Sequence, residues 1–407
     1  MIMWPLQLAW KNLWRNKTRT LVTLSALAFA TFISVLASGL KEGIFGNLIH
    51  DVVSSYTGHV QVHLKGYQEE QVIENAFLSS TILKKQIQDI PGVVLATERL
   101  ESFALASSGE NTKGCLVMGI EAVEESALMN IGGKLIKGKT VGANKNGILL
   151  PEGLAKRLNL QIHDTVVLIG QGYHGASAAG KFRVCGILKF GSPKLNERLT
   201  IMPIDTARKL FGAEGVTTSL AVLLDEKTSP ENAAINLRSI AGEKMEVLPW
   251  GEIMPDIKQH IDADSGNMQY VQYILYALVG FGVFSTLLIM VAERSRENGM
   301  LLSLGMSKSM LQTVFMLESV MTVLLGAILG LLLSWPVLFY LKWHPLRISG
   351  STAEAYKKFG FEPIFPASMD PSIFLHQGIT VLVMGMILSL YPIWMISKMN
   401  PLSSMRK

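Results

Sequence analysis

The chain has few charged residues and almost no cysteine. Only 17% of its 407 residues are charged and 49% are hydrophobic, whereas a soluble domain averages about 25% charged residues. This deficit is typical of a membrane protein. The net charge of +5 is small, and no basic run is dense enough for a nucleic-acid surface, so nucleic acid is excluded as a partner. Cys115 and Cys185 lie in apolar, strand-like segments and are interpreted as buried thiols, with a disulfide as the alternative.

Long apolar runs are what the chain has in place of charge. A helix needs about 20 residues to cross a hydrocarbon core, and four runs are long enough. The predicted spans are residues 20–40, 271–292, 311–341 and 374–397. Basic residues cluster before the first span, in the short link 293–310 and in the tail 398–407. Because cytoplasmic loops carry an excess of Lys and Arg, both termini and the link are predicted to be cytoplasmic.

Residues 1–19 are predicted to form an amphipathic helix in the inner membrane interface. Leu6, Ala9 and Leu13 recur at helical spacing. Rings that favour headgroup depth accompany them at Trp4, Trp10 and Trp14. Membrane lipids are therefore expected partners of this segment. A cleaved signal peptide is disfavoured, because the apolar run that follows is long for one.

Residues 41–270 separate the first two spans and are predicted to lie outside the cytoplasm, as is the short loop 342–373. Mixed strand and helix patterns predict a large α+β domain of two subdomains, ending in a helical stalk from Trp250. His59 and His63 share the polar face of one predicted strand and are interpreted as solvated, because no third metal ligand is near. The predicted fold is a membrane protein of four transmembrane helices, with a large α+β extracytoplasmic domain inserted between helices 1 and 2.

Two glycine-rich segments of this domain are candidate sites. Gly133–Thr140 satisfies the P-loop pattern, but a phosphate site needs a helix directly after the loop. Helix-breaking residues follow instead, so a glycine-rich turn is predicted. The second segment, Gly170–Lys181, is predicted to be a mobile hairpin tip, and loops that project from a rigid sheet are favoured contact sites. The contact residues would be Gly172, Tyr173, His174 and Ser177. No catalytic arrangement and no metal-ligand spacing is found elsewhere.

The third span carries one acid and a glycine pair. Glu318 lies about ten residues, roughly 15 Å of helix, from Lys308 at the inner end. Pairing with a basic residue at the inner surface, capping a helix and snorkelling are open alternatives for it. Gly326 and Gly330 have the small-xxx-small spacing that permits close approach of helices. That spacing indicates helix packing rather than a specific dimer.

Several segments together resemble one family over essentially the whole chain. They are Leu8–Leu21, Gly147–Leu160, Phe182–Lys189, Glu293–Ser307, Tyr391–Trp394 and Asn400–Met405. The most specific is Glu293–Ser307, which reads ERSRENGMLLSLGMS. Through these segments the chain resembles the MacB/FtsX-like permeases of ABC transporters, in their lipoprotein-releasing (Lol) branch.

The resemblance implies a subunit of the bacterial inner membrane that pairs with a second permease, identical or paralogous, on a cytoplasmic ABC ATPase dimer. That ATPase would bind ATP and Mg²⁺, so this chain is expected to bind no cofactor itself and to be no enzyme. Residues 293–310 would be the coupling helix, which sits in a groove of the ATPase. Its expected contact residues are Glu293, Arg294, Arg296, Glu297, Leu301, Leu304, Gly305 and Met306. The three apolar ones would form one face, and Gly305 would give a sharp exit.

The implied function is release of lipoproteins from the inner membrane for sorting to the outer membrane, with a soluble periplasmic carrier as a further partner. In the Lol branch a proline-containing hook recruits this carrier. The matching link Gly170–Lys181 is short and has no proline. Two alternatives are MacB-like efflux of amphiphiles or peptides, and FtsX-like signalling to a cell-wall hydrolase.

Overall fold

The computed structural model describes residues 3–143, 147–225, 227–351, 353–354, 356 and 363–398. It contains two compact units. The helical unit comprises Met1–Gly46, Asp262–Arg347 and Ile364–Lys407, and the sheet unit comprises Asn47–Ile261 and Ile348–Pro363. Of the predicted tail 398–407, all but Lys398 lies outside the described residues, as do several residues of the loop 342–373.

Among the described residues, four helices are long and apolar enough to cross a membrane. The first to fourth membrane helices are Lys17–Val52, Pro255–Glu293, Lys308–Trp343 and Pro371–Ser397. Each extends beyond the apolar run in which it was predicted, because helix propensity does not depend on hydrophobicity. A helix at Met3–Arg15 precedes them, and a nine-residue helix, Ser295–Ser303, lies between the second and third. The latter is termed the linking helix.

Local chemistry sets where two of these helices begin. The Ser307 hydroxyl accepts from the Met310 amide at 3.3 Å at the start of the third membrane helix. The Asp370 carboxylate accepts from the Ser372 amide at 2.9 Å at the start of the fourth, where Pro371 occupies the first turn. Such caps satisfy amides that have no partner within the helix.

Small residues allow the first and third membrane helices to approach closely. A Cβ built on Gly326 would lie 2.5 Å from the Leu27 Cβ, and one built on Gly330 would lie 2.5 Å from the Thr31 Cβ. No side chain fits at such distances, so glycine permits this packing. Around the contact, an apolar cluster with Val381 includes residues of all four helices.

A hydrogen-bonded cluster also joins the first, second and fourth membrane helices. Gln377 accepts from the Ser34 hydroxyl at 2.6 Å and from the Tyr276 hydroxyl at 2.9 Å, and it donates to the Ser38 hydroxyl at 2.8 Å. Gln272 donates to the same Ser38 oxygen at 2.7 Å. Polar side chains inside a membrane are satisfied by one another across helices, and here they tie three helices together.

Ten strands of the sheet unit form one sheet in the order β12-β1-β11-β3-β4-β9-β6-β8-β5, with β7 bonded to both β3 and β8. These strands are β1 (Val60–Leu64), β3 (Val93–Ser108), β4 (Asn111–Ile120), β5 (Leu135–Gly138), β6 (Gly147–Pro151), β7 (Thr165–Gln171), β8 (Ser177–Leu188), β9 (Leu199–Pro203), β11 (Ser219–Leu224) and β12 (Met245–Pro249). Two short antiparallel pairs complete the strands: β2 (Phe77–Leu78) with β10 (Val216–Thr217), and β13 (Leu346–Arg347) with β14 (Ile364–Phe365).

Because β7 bonds to both β3 and β8, six strands close into a ring: β3, β4, β9, β6, β8 and β7. The ring interior is filled by apolar side chains such as Leu168, Val184 and Ile148. Strand β3 runs for 16 residues, because its first half pairs with β11 and its second half with β7. The sequence predicts a strand only near Val93–Leu100. The continuation is missed because its exposed positions, Phe103 and Leu105, are as apolar as its buried ones, Ala104 and Ala106, so the sequence lacks the polar–apolar alternation that predicts a strand.

The helices of the sheet unit cover the sheet. They are Tyr67–Glu70, Thr81–Gln88, Ala122–Met129, Ile131–Lys134, Glu152–Leu158, Pro193–Arg198, Ile204–Phe211, Pro230–Ala241 and Trp250–Ile253. Thr81–Gln88 and Pro230–Ala241 pack on β1, β11 and β12 around Leu237, in an apolar core separate from that of the ring. The two cores belong to one continuous sheet.

Three sequence interpretations change in the sheet unit. His63 is 0% exposed and its Nε2 lies 2.7 Å from the Gln61 Oε1, so the solvated interpretation is wrong for this residue. The P-loop-like segment contains strand β5 rather than only a turn, and among the described residues before Asn144 it is followed only by a three-residue 3₁₀ helix, Val141–Ala143. Cys115 is a buried thiol whose pKa is raised to about 12 by burial, whereas Cys185 is only half-buried.

Candidate functional site

The linking helix, Ser295–Ser303, ends in a Schellman motif. The Met306 amide donates to the Leu301 carbonyl at 3.1 Å, and the Gly305 amide donates to the Leu302 carbonyl at 3.2 Å. Gly305 has a φ of +96°, a conformation that side chains with a Cβ disfavour. The chain therefore turns sharply at Gly305, as the sequence predicts.

One side of the linking helix carries an exposed stripe. Arg296, Met300 and Leu304 recur every four residues and are all exposed, Met300 by 49% and Leu304 by 78%. Residues four apart share a helix face, so the stripe presents one cation and two apolar side chains. Sequence reasoning omitted Met300, although its spacing from Arg296 and Leu304 indicates it.

The opposite side of the linking helix packs onto the membrane helices. Leu301 and Met306 contact an apolar cluster that includes Met290 of the second membrane helix and Phe315 of the third. The structure thus separates the exposed Leu304 from Leu301 and Met306, which the sequence places beside it on one apolar face. The packed side fixes the helix, and the stripe remains accessible.

Arg294, directly before the linking helix, is buried and faces the third membrane helix. Its Nη1 donates to the Glu318 Oε2 at 2.5 Å, and the two side chains are 9% and 2% exposed. Its Nη2 donates to the Asn12 carbonyl at 2.9 Å. Buried charges need such partners to offset their desolvation. Of the three alternatives for Glu318, the structure shows pairing with a basic residue, and Arg294 is turned inward rather than toward the exposed stripe.

The other charged residues of the link are accessible. Glu293 and Arg296 are exposed. Glu297 forms an ion pair with Arg15 of the helix Met3–Arg15, and both side chains are about half exposed. Pairs of this kind contribute only about 0.2–1 kcal/mol, so they orient side chains more than they stabilise the fold.

This arrangement is suited to mechanical contact. Over the ranges that the structure describes, no group of three or more His, Cys, Asp or Glu side chains is placed to hold a metal ion. The linking helix has one side packed on the membrane helices, a sharp turn directly after its C-terminal end, and an exposed stripe. A displacement applied to the stripe would pass directly to the second and third membrane helices, between which the linking helix lies.

The hairpin β7–β8 carries the other predicted contact residues. Its tip is only Gly172–Ala176, closed by the Gly172 amide donating to the Ala176 carbonyl at 2.7 Å, so the strands cover most of the predicted loop. His174 and Ser177 are exposed, whereas Gly172 is buried and Tyr173 packs against the ring core. The Tyr173 and His174 rings are 3.9 Å apart.

A buried charge cluster in the sheet unit has no sequence signal. Arg99 and Glu125 are both 0% exposed and form an ion pair, with the Arg99 Nε donating to Glu125 at 3.1 Å. Arg99 Nη1 also donates to the Tyr56 carbonyl at 2.5 Å. The Tyr56 hydroxyl donates to Glu101 at 2.6 Å, and burial raises the pKa of Glu101 above its ordinary value. A charged residue in a strand or a helix predicts a solvent-facing position, and only the tertiary packing places Arg99, Glu101 and Glu125 inside.

Two protein-family models match the chain. The model of the FtsX-like permease C-terminal region matches residues 271–401, and that of the MacB-like periplasmic core domain matches residues 20–240, more than half of the chain. The chain belongs to the MacB/FtsX-like family of ABC transporter permeases. As a permease of this family it is a multi-pass membrane protein, and its linking helix lies within the FtsX-like region.

The relatives have low sequence identity to this permease but match it over much of its length. The lipoprotein-releasing system transmembrane protein LolC of Neisseria meningitidis serogroup B is 22% identical over 402 residues, which cover 93% of this permease and 94% of LolC. The macrolide export ATP-binding/permease protein MacB of Escherichia coli is 23% identical over 358 residues, covering 81% of this permease and 52% of MacB. The solved periplasmic region of MacB from Actinobacillus actinomycetemcomitans is 15% identical, with a TM-score of 0.36, and the match covers 52% of this permease and 94% of that region.

Proposed function

We propose that this permease is the membrane subunit of an ABC transporter that is driven by a separate cytoplasmic ATPase and releases lipoproteins from the inner membrane. Both termini and the linking helix would then be cytoplasmic, and the sheet unit would lie on the periplasmic side. A second permease subunit would complete the assembly. Neither ATP nor Mg²⁺ would bind to this chain.

The exposed stripe of the linking helix is the observation that carries the proposal. Apolar side chains at Met300 and Leu304 are accessible although they belong to a helix whose other side is packed. Apolar contacts beside a cation are typical of the centre of a protein interface. The covalent position of the helix, between two membrane helices, makes this stripe the natural place to receive force from an ATPase.

The cargo is argued from the extent of the likeness. The match to LolC runs over nearly the full length of both proteins, whereas MacB is about twice as long as the part that matches. MacB is named an ATP-binding/permease protein, so one chain there combines both activities. The match over nearly the whole of LolC therefore supports lipoproteins as the cargo.

The coupling surface can be tested with one substitution and a matched control. Leu304→Asp replaces an apolar side chain that is 78% exposed. If Leu304 is buried against the ATPase, its loss costs about 2 kcal/mol, or roughly 30-fold in affinity. Val123→Asp, at a site 81% exposed in the sheet unit, should leave the affinity unchanged. The measurement is binding of the ATPase to permease in nanodiscs, and equal effects of the two variants would refute the proposed surface.

The cargo is tested separately in the reconstituted complex. A triacylated lipoprotein should stimulate ATP hydrolysis, and the same lipoprotein without its acyl chains should not. MacB-like efflux is the second candidate, since residues over 81% of this permease align with MacB. Stimulation by small amphiphiles or peptides, with none by the lipoprotein, would select efflux and leave the permease assignment standing.

Recruitment of a soluble carrier would use the hairpin tip. His174 and Ser177 are the exposed members of the predicted set, so the double variant His174→Ala with Ser177→Ala should weaken carrier binding. If binding is unchanged, the carrier, where one exists, docks elsewhere.

A further inference from the structure

The helix Met3–Arg15 ends against the linking region. The last four carbonyls of a helix have no partner within it. Here the Asn12 carbonyl accepts from the Arg294 guanidinium at 2.9 Å, and the Leu13 carbonyl accepts from the Thr20 hydroxyl. The guanidinium therefore caps the end of the helix that carries the negative pole of its dipole.

The same guanidinium joins three elements. It lies directly before the linking helix, caps Met3–Arg15 and pairs with Glu318 of the third membrane helix. A second link, the Arg15–Glu297 ion pair, connects Met3–Arg15 with the first turn of the linking helix. The first turn is thus held at two points by the N-terminal helix.

The helix Met3–Arg15 is itself held in place along one face, so it can support the linking helix. Its Ala9 and Leu13 side chains are 0% and 2% exposed, so one face is firmly packed. On the other side Trp4, Trp10 and Trp14 are 42–52% exposed, as expected for a helix lying in a membrane interface. The helix therefore has one packed face and one exposed aromatic face suited to the membrane interface.

The linking helix needs such support. It has nine residues, and no side chain caps its N-terminus. Isolated helices shorter than about 12–15 residues are marginal in water. Its C-terminal end is fixed by the Schellman motif, but its first turn depends on contacts from other elements.

We propose that Met3–Arg15 is a positioning element that sets the orientation of the linking helix, and thereby of the Arg296–Met300–Leu304 stripe. The proposal rests on the proposed function, because the stripe is taken as the ATPase-binding surface. Arg15 acts through Glu297 and does not itself contact the ATPase. Loss of the Arg15–Glu297 link would let the stripe move without unfolding the membrane helices.

A charge swap tests the link, since both side chains are exposed and tolerate substitution. Arg15→Glu and Glu297→Arg should each weaken ATPase binding about fivefold, the equivalent of losing an exposed ion pair. The double variant should restore binding to within about twofold of the parent. The matched control is the ion pair Arg157–Glu197, which is exposed to a similar extent in the sheet unit. Its reversals should have no effect.

A second readout needs no ATPase. A spin label is attached at Leu304→Cys in permease alone in nanodiscs. The label should become more mobile when Arg15→Glu is introduced, and its mobility should return to the parent's value in the double variant Arg15→Glu with Glu297→Arg. Parent permease without Leu304→Cys controls for labelling of the native cysteines. If ATPase binding fails in the parent but the label responds, the proposed function fails and the positioning role stands. If Glu297→Arg weakens binding while Arg15→Glu changes neither readout, Glu297 contacts the ATPase directly and the positioning role is overturned.

Discussion

The buried pair Arg294–Glu318 provides the sharpest prediction for stability. The two side chains are 9% and 2% exposed, with the Nη1–Oε2 distance at 2.5 Å. Removing one partner of such a pair leaves an uncompensated buried charge and costs about 3–5 kcal/mol. We expect Glu318→Leu near the lower end, because the guanidinium keeps the Asn12 carbonyl as a partner. Arg294→Met should cost more, because that carbonyl also loses its donor, a penalty of about 1–3 kcal/mol.

The double variant is the informative one. With Arg294→Met and Glu318→Leu together, no buried charge remains, and apolar side chains of similar size fill the space. Replacing a buried pair in this way is often neutral, so the remaining cost should be about 1–2 kcal/mol from the uncapped Asn12 carbonyl. The double-mutant cycle should then give a coupling energy of at least about 3 kcal/mol.

The assay is equilibrium unfolding of the purified permease in mixed micelles, followed by tryptophan fluorescence. Arg296→Met, an exposed neighbour, is the control and should change the free energy of unfolding by less than about 0.5 kcal/mol. If the losses in free energy of unfolding of the two single variants simply add in the double variant, with a coupling energy below about 0.5 kcal/mol, the pairing is refuted. ATPase binding measured on the same variants would show whether the pair also orients the exposed stripe.

Two further predictions concern packing and pH. Gly330→Ala should destabilise the helical unit by about 1–3 kcal/mol through overpacking, because its Cβ would lie 2.5 Å from the Thr31 Cβ; Gly282→Ala, which meets nothing within 4 Å, should be neutral or slightly stabilising in the same unfolding assay. Burial lowers the pKa of His63 to about 4 from its ordinary value of 6.5. The folded state therefore keeps His63 neutral. The part of the folding stability that depends on neutral His63 is fully present above pH 6.5, and about 3 kcal/mol in total is lost as the pH falls toward 4. Thermal unfolding from pH 7 to pH 4.5 should show a shallower loss of stability for His63→Gln than for the parent, and equal slopes would contradict the buried, neutral state.

The membrane helices could be predicted from the sequence because one physical quantity decides them. An apolar run of about 20 residues matches the thickness of the hydrocarbon core whatever surrounds it. The sharp turn at Gly305 could also be predicted, since a glycine directly after a helix favours a left-handed backbone conformation and a Schellman motif. These features depend on a few neighbouring residues or on a bulk property, and therefore need no knowledge of the fold.

The inward and outward faces of the link could not be predicted in the same way. Leu301, Leu304 and Met306 are all apolar, and nothing local indicates that only Leu304 is exposed. Arg294 reads as a surface cation until Glu318, 24 residues further on, is placed beside it. The partner in each case comes from another helix, and the packing of helices decides which side chains meet.

The sheet unit shows the same division. Strand β1, whose sequence VQVHL alternates apolar and polar residues, was predicted as a strand. The closed ring of six strands and the full length of β3 were not, because both depend on pairing between strands far apart in the chain. By itself the sequence determined the spans, the class of protein and the linking segment, since hydrophobic length and local helix chemistry act within a few turns. Only the tertiary structure decided which charges are buried and which stripe is exposed, because those depend on contacts between residues far apart in the chain.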